Sequence, residues 1–163
     1  MNKFAFAAAF GLASAVLATP AFAQDEAANA NEIRVEGRAG YFWGQGFDDA
    51  TVGVAAGYDL ALGDLAFAGA EVSADKILTD GTKVSFGASG RLGLKTNETG
   101  KFYVAGGWNS EPCDACVGAW NVGLGLQQGI TGNFYAKGEF RHIMAEKDGG
   151  TYETALFGIG MTF

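Results

Sequence analysis

Residues Ile33–Trp43 read IRVEGRAGYFW, and their alternation decides the fold. Odd positions hold Ile33, Val35, Gly37, Ala39, Tyr41 and Trp43, while even positions hold Arg34, Glu36, Arg38, Gly40 and Phe42. A period of two belongs to a β-strand, whose successive side chains point to opposite faces. One face is apolar with an aromatic end, and the other carries three charges. The segment reads as a strand that separates two different media.

The same period recurs seven more times, over Ala50–Leu60, Leu65–Asp75, Thr82–Lys95, Lys101–Trp108, Gly118–Gln127, Asn133–Ile143 and Tyr152–Phe163. Two runs are less clean. Leu65 and Phe67 fall on the polar parity of the third, and aromatic residues occupy both parities of the fifth. Short glycine-punctuated connections at 61–64, 96–100 and 128–132 have the form of hairpin turns. They alternate with connections at 44–49, 76–81, 109–117 and 144–151 that carry mostly acid. Eight strands of about ten residues, with turns at one end and loops at the other, are expected of an up-and-down antiparallel transmembrane β-barrel.

Alternation alone leaves open which face looks inward, since a soluble barrel alternates too. Mid-strand, the apolar face is crowded with alanine and glycine, which would fill a soluble core poorly. Its aromatics gather toward strand ends (Tyr41, Trp43, Tyr58, Phe102, Trp108, Trp120, Phe134 and Phe140), where interface girdles sit. The polar face mixes signs: Arg34, Arg38, Lys83, Arg91, Lys95, Lys137 and Arg141 against Glu36, Asp59, Glu71, Asp75 and Glu139. Charges enclosed in a barrel must pair, and this set is able to. The expected lumen network is therefore Arg34, Glu36, Arg38, Asp59, Glu71, Lys83, Arg91, Lys137, Glu139 and Arg141.

Composition agrees. The chain has 163 residues with 26 glycines and 2 prolines, and its formal charge is −7. Glycine is at about twice its average usage, without the three-residue period of collagen. An acidic protein has no surface for nucleic acid. Beyond the N-terminus no apolar run approaches the ~18 residues of a membrane helix.

Residues 1–23 have the layout of a secretory signal peptide. Lys3 gives the positive start, Phe4–Leu17 the apolar region, and Ala21-Phe22-Ala23 the small-x-small cleavage pattern, with cleavage expected after Ala23. Residues 24–31 read as a flexible periplasmic leader, and 32–163 as the barrel.

Cys113 and Cys116 are the only cysteines. Their spacing permits a local disulfide that closes a tiny loop and contributes little chain entropy. A redox site would need the pair to open a helix after a strand, and a metal site would need more ligands. A structural loop staple is the favoured reading, and no cofactor or metal is expected.

The signal peptide, the eight hairpin-linked strands and the ending Gly158-Ile159-Gly160-Met161-Thr162-Phe163 resemble the small opacity-protein-like outer-membrane β-barrels of Gram-negative bacteria. Phe67–Ser73 (FAGAEVS) and Asn133–Arg141 (NFYAKGEFR) resemble that family's strands. The resemblance covers nearly all of 32–163. It implies an outer-membrane location with contacts to lipid and lipopolysaccharide. It also implies that the terminal strand, with Gly158, Met161 and Phe163, belongs to the signal read by the barrel-assembly machinery. Leu156 departs from the pattern at a position that is usually polar.

Enzyme chemistry finds little support. His142 is the only histidine, and it falls on the apolar parity at a strand end, where an amphipathic ring is at home. Glu71, Glu139 and Asp59 as paired catalytic carboxylates compete with a simpler reading, a salt-bridged lumen. The expected function is a monomeric, non-catalytic envelope-structural or surface-antigen protein whose lumen is largely filled by paired charges. The alternative is a narrow porin-like channel, biased toward anions by Arg34, Arg38, Arg91 and Arg141. In that alternative the inward glycines (53, 57, 87, 93, 107, 123, 125, 158 and 160) leave room for water.

Overall fold

The computed structural model describes residues 31–147 and 149–163, so the expected signal peptide, its Ala23 cleavage site and most of the leader lie outside the described residues. Eight strands follow in order: β1 (Glu32–Gly44), β2 (Phe47–Leu62), β3 (Ala66–Ile77), β4 (Ser85–Lys95), β5 (Gly100–Asn109), β6 (Ala119–Thr131), β7 (Phe134–Ala145) and β8 (Thr151–Thr162). Each pairs antiparallel with its neighbours, and β8 returns to β1, closing an up-and-down barrel. No sheet edge is left, so every strand's backbone groups are satisfied within the wall.

The alternation seen in the sequence becomes the inside and outside of this wall. Along β1, Arg34, Glu36 and Arg38 are buried while Ile33, Val35 and Tyr41 are exposed. Val54, Val72, Leu92, Val104, Leu124 and Ile159 continue the exposed apolar face around the barrel. Trp108 and Trp120 are direct cross-strand partners at the loop end, and the Trp43 ring packs on Phe140 with centroids 6.1 Å apart. Tyr58, Phe102 and Phe134 lie toward the turn end. An apolar waist with aromatic margins suits a bilayer.

The ambiguous strands resolve by burial. Phe67 on β3 is 1% exposed and points into the lumen, whereas Leu65 belongs to the preceding turn. On β5 the inward set is Lys101, Tyr103 and Ala105. At the turn end, Gly63 (φ 77°) and Gly132 (φ 51°) adopt the left-handed conformation that tight hairpins need. At the loop end, segments 78–84 and 110–118 are joined to each other. Thr82 and Cys113 form an isolated bridge, and the Lys83 amide donates to the Pro112 carbonyl at 2.7 Å.

One expected lumen residue is corrected here. Strand β4 starts at Ser85, not at Thr82, so Lys83 belongs to the loop. Its ammonium pairs with Asp114 at 3.3 Å on the surface. Alternation carried back past the strand's true start gave Lys83 its inward parity, but the chain there has already turned to pair with the 110–118 loop.

Candidate functional site

The lumen is organised around two carboxylates. Glu71, on β3, faces four cations. Arg34 and Arg38 on β1 donate to it at 2.7 and 3.0 Å, and Arg141 and Lys137 on β7 at 3.2 and 3.5 Å. Asp59, on β2, receives Arg91 Nε at 2.8 Å, Lys101 at 2.9 Å and Arg34 Nε at 3.4 Å. Arg34 touches both centres and makes one network of them.

The margins of the network are also paired. Arg38 forks onto Asp75, with Nε at 2.8 Å and Nη2 on the other oxygen. Planar two-point pairing of this kind is the strong form of an arginine–carboxylate contact. Lys137 bridges Glu36 and Glu139, Arg141 donates to Glu139, and Lys101 reaches Glu32 at 2.6 Å. Two tyrosines close the polar layer: Tyr103 donates to Glu139, and Tyr135 to Glu36 at 2.7 Å. The Arg91 guanidinium lies against the rings of both Phe67 and Tyr103, 5.1 and 4.8 Å from their centroids, and also donates to Gln127. In the described ion pairs of the lumen, Arg34, Arg38, Arg91, Lys101, Lys137 and Arg141 meet Glu32, Glu36, Asp59, Glu71, Asp75 and Glu139.

Inward glycines make this packing fit, and all of those expected to leave room, Gly158 excepted, are already closely approached. A Cβ on Gly57 would lie 2.4 Å from the Arg34 guanidinium, and one on Gly125 2.4 Å from the Tyr103 ring. A Cβ on Gly160 would meet Tyr135 at 2.6 Å. The long side chains of one strand occupy the volume that the glycines of another vacate.

All the expected lumen residues except Lys83 join the network. Lys101, Asp75 and Glu32 complete it. Lys101 is the second residue of its strand, so no full period precedes it, but it shares the parity of Tyr103, and that was the available signal. His142 sits on the outer face of β7, where its Nδ1 lies 2.7 Å from its cross-strand neighbour Glu153 on β8. The ring therefore points away from the luminal serines. Cys113 and Cys116 form a disulfide with Cα atoms 5.0 Å apart, inside the loop that roofs part of the barrel mouth. At the seam, Phe163 pairs with Ile33 through both backbone hydrogen bonds, at 2.8 and 3.1 Å, and Gly158 and Met161 lie on β8. Leu156 is buried in the lumen, 8% exposed.

No family model and no curated protein matches the chain. Solved structures do. A de novo designed transmembrane β-barrel superposes with a TM-score of 0.56 at 16% identity, covering 81% of this chain and 95% of the other. Ail, the attachment invasion locus protein of Yersinia pestis, superposes with a TM-score of 0.54 at 14% identity, covering 82% and 98%. The fold is that of eight-stranded transmembrane β-barrels.

Proposed function

We propose that the chain is a monomeric outer-membrane protein of the opacity-like type, with an envelope-structural or surface-antigen role and neither catalysis nor a through-channel. The observation that carries this reading is the network centred on Glu71 and Asp59. It spans the lumen from β1 to β7 with mutually paired side chains. An ion entering from either end meets charges already neutralised by partners, and Tyr103, Tyr135 and Phe67 fill the remaining cross-section. The apolar waist contacts outer-membrane lipid, and the loop end faces lipopolysaccharide. The β8 strand, with Gly158, Met161 and Phe163, presents the signal to the assembly machinery. A catalytic role for His142 is disfavoured by its outward position beside Glu153.

The test is single-channel recording in planar bilayers with refolded residues 24–163, after folding is checked by heat-dependent gel mobility. The expected result is silence. Reproducible conductance steps, with anion preference lost in Arg91→Ala, would overturn the closed-lumen reading in favour of a narrow channel.

A further inference from the structure

The lumen is not uniform along its axis. Toward the loop end, inward positions turn from charged to apolar and neutral polar, and line a cavity of about 690 Å³. The apolar part of its wall is formed by Phe42, Ile77, Ile143, Tyr152 and Leu156, from β1, β3, β7 and β8, and Thr51, Ser85, Asn109 and Thr154 add hydroxyl and amide groups. The Phe42 and Tyr152 rings stack with centroids 5.0 Å apart. The disulfide-bearing loop covers part of the mouth. The floor is the upper surface of the ion network, where Arg38, Asp75 and Arg141 line the cavity.

The two floor arginines differ in what they have left to offer. Arg38 commits Nε and Nη2 to Asp75 and Nη1 to Glu71. Arg141 commits Nε to Glu139 and Nη2 to Glu71, while its Nη1 makes no hydrogen bond among the described residues. Arg141 is only 5% exposed. A buried guanidinium with an unused donor beside an apolar space invites an acceptor. Arg38 and Arg141 are otherwise balanced by Asp75, Glu71 and Glu139, so the floor's preference for an anion rests on the one unused donor, Arg141 Nη1, an N–H that a cation cannot use. The volume lies in the range of roughly 300–1,000 Å³ common to small-molecule sites, and apolar walls with a few convergent polar groups are their usual make-up.

We propose that this cavity binds one small apolar molecule ending in a carboxylate. The carboxylate accepts from Arg141 Nη1, and the apolar body lies between the Phe42–Tyr152 stack and Ile77, Ile143 and Leu156. This goes beyond the envelope role and does not depend on it, because walls and floor are the same whether or not the barrel conducts.

The experiment uses residues 24–163 in lipid nanodiscs and follows the fluorescence of 11-(dansylamino)undecanoate, with empty nanodiscs as the blank. A saturable blue-shifted signal is expected. Decanoate should displace it at least ~10-fold more effectively than decanol, a ratio corresponding to one added charge-assisted hydrogen bond. Decyltrimethylammonium should not displace it. Ile143→Trp, which fills the cavity, should abolish the signal while keeping the heat-dependent mobility of a folded barrel. Absence of signal above empty nanodiscs, or unchanged binding in folded Ile143→Trp, would overturn the site. Equal displacement by decanol and decanoate would overturn the carboxylate assignment. The competitor series needs only the unaltered protein, so it decides the matter even if the variant does not fold.

Discussion

Glu71 concentrates the problem of a charged interior in one side chain. Its two oxygens meet Arg34, Arg38, Lys137 and Arg141, and 5% of the residue reaches solvent. Removing one member of a buried ion cluster leaves its partners uncompensated, which typically costs about 3–5 kcal/mol. Glu71→Ala is therefore expected to lower the urea midpoint of the refolded barrel sharply. Lys83→Ala, which removes a solvent-exposed pair with Asp114, should leave the midpoint where it is. Equal shifts in the two variants would place the network's contribution elsewhere. A second expectation concerns the inward glycines. Gly125→Ala pushes a methyl group into the Tyr103 ring and should reduce folding yield, and adding Tyr103→Leu should restore part of it. Such rescue is a coupling between contacting residues that independent sites do not show. The inward parity of Glu71 was legible in the sequence, because Val72 and Ser73 keep the alternation going. Its four partners were not, because they arrive from β1 and β7 through a register that only barrel closure sets.

At the scale of strands and loops, alternation succeeded where a strand runs several residues on either side of a charge, as in β1 and β7. It failed at boundaries. Lys83 kept its alternation in a stretch that pairs with a loop rather than a neighbouring strand, and Lys101 stands second in β5, with only Gly100 before it to set a phase. The apolar inward set at the loop end stayed hidden for a related reason. Phe42, Ile77, Ile143 and Tyr152 each stand near a strand end, where an apolar residue on the polar parity reads as irregularity. Only Leu156, inside β8, stood out. The disulfide is also an end feature. It closes a loop so short that the chain-entropy relation assigns it only about 2 kcal/mol. Replacing both Cys113 and Cys116 with serine should lower the urea midpoint modestly and leave the barrel folded. Loss of the heat-dependent mobility shift in that variant would mean that the staple is needed for assembly. At the opposite end, Phe163 ties β8 to Ile33 on β1 at the point where the wall closes. Truncating the chain before Phe163 removes both of those backbone hydrogen bonds and should slow barrel closure during refolding.

Over the whole molecule, the apolar exterior, the charged middle and the half-open apolar mouth divide the barrel along its axis. The exterior is what a bilayer solvates, so the chain needs no apolar core. Apolar side chains such as Val54, Phe86, Leu126 and Phe157 face outward and more than half exposed, while cations and carboxylates paired with one another occupy the centre. That inversion explains how 26 glycines and a −7 charge coexist with a stable fold: glycine clears space for arginine and tyrosine inside, and the excess acid resides in loops. It also fixes what an outside reagent should reach. Ala145 lines the cavity near the mouth, and Thr99 lies in an exposed turn at the opposite end. The native cysteines are joined to each other, so an introduced one reports alone. With the loops facing outward and the lumen closed, a bulky membrane-impermeant maleimide added to intact cells should label Ala145→Cys and spare Thr99→Cys. Permeabilising the envelope should expose both. Labelling of Thr99→Cys alone on intact cells would mean that the barrel sits the other way round. The cavity would then open to the periplasm, and its ligand would be sought there.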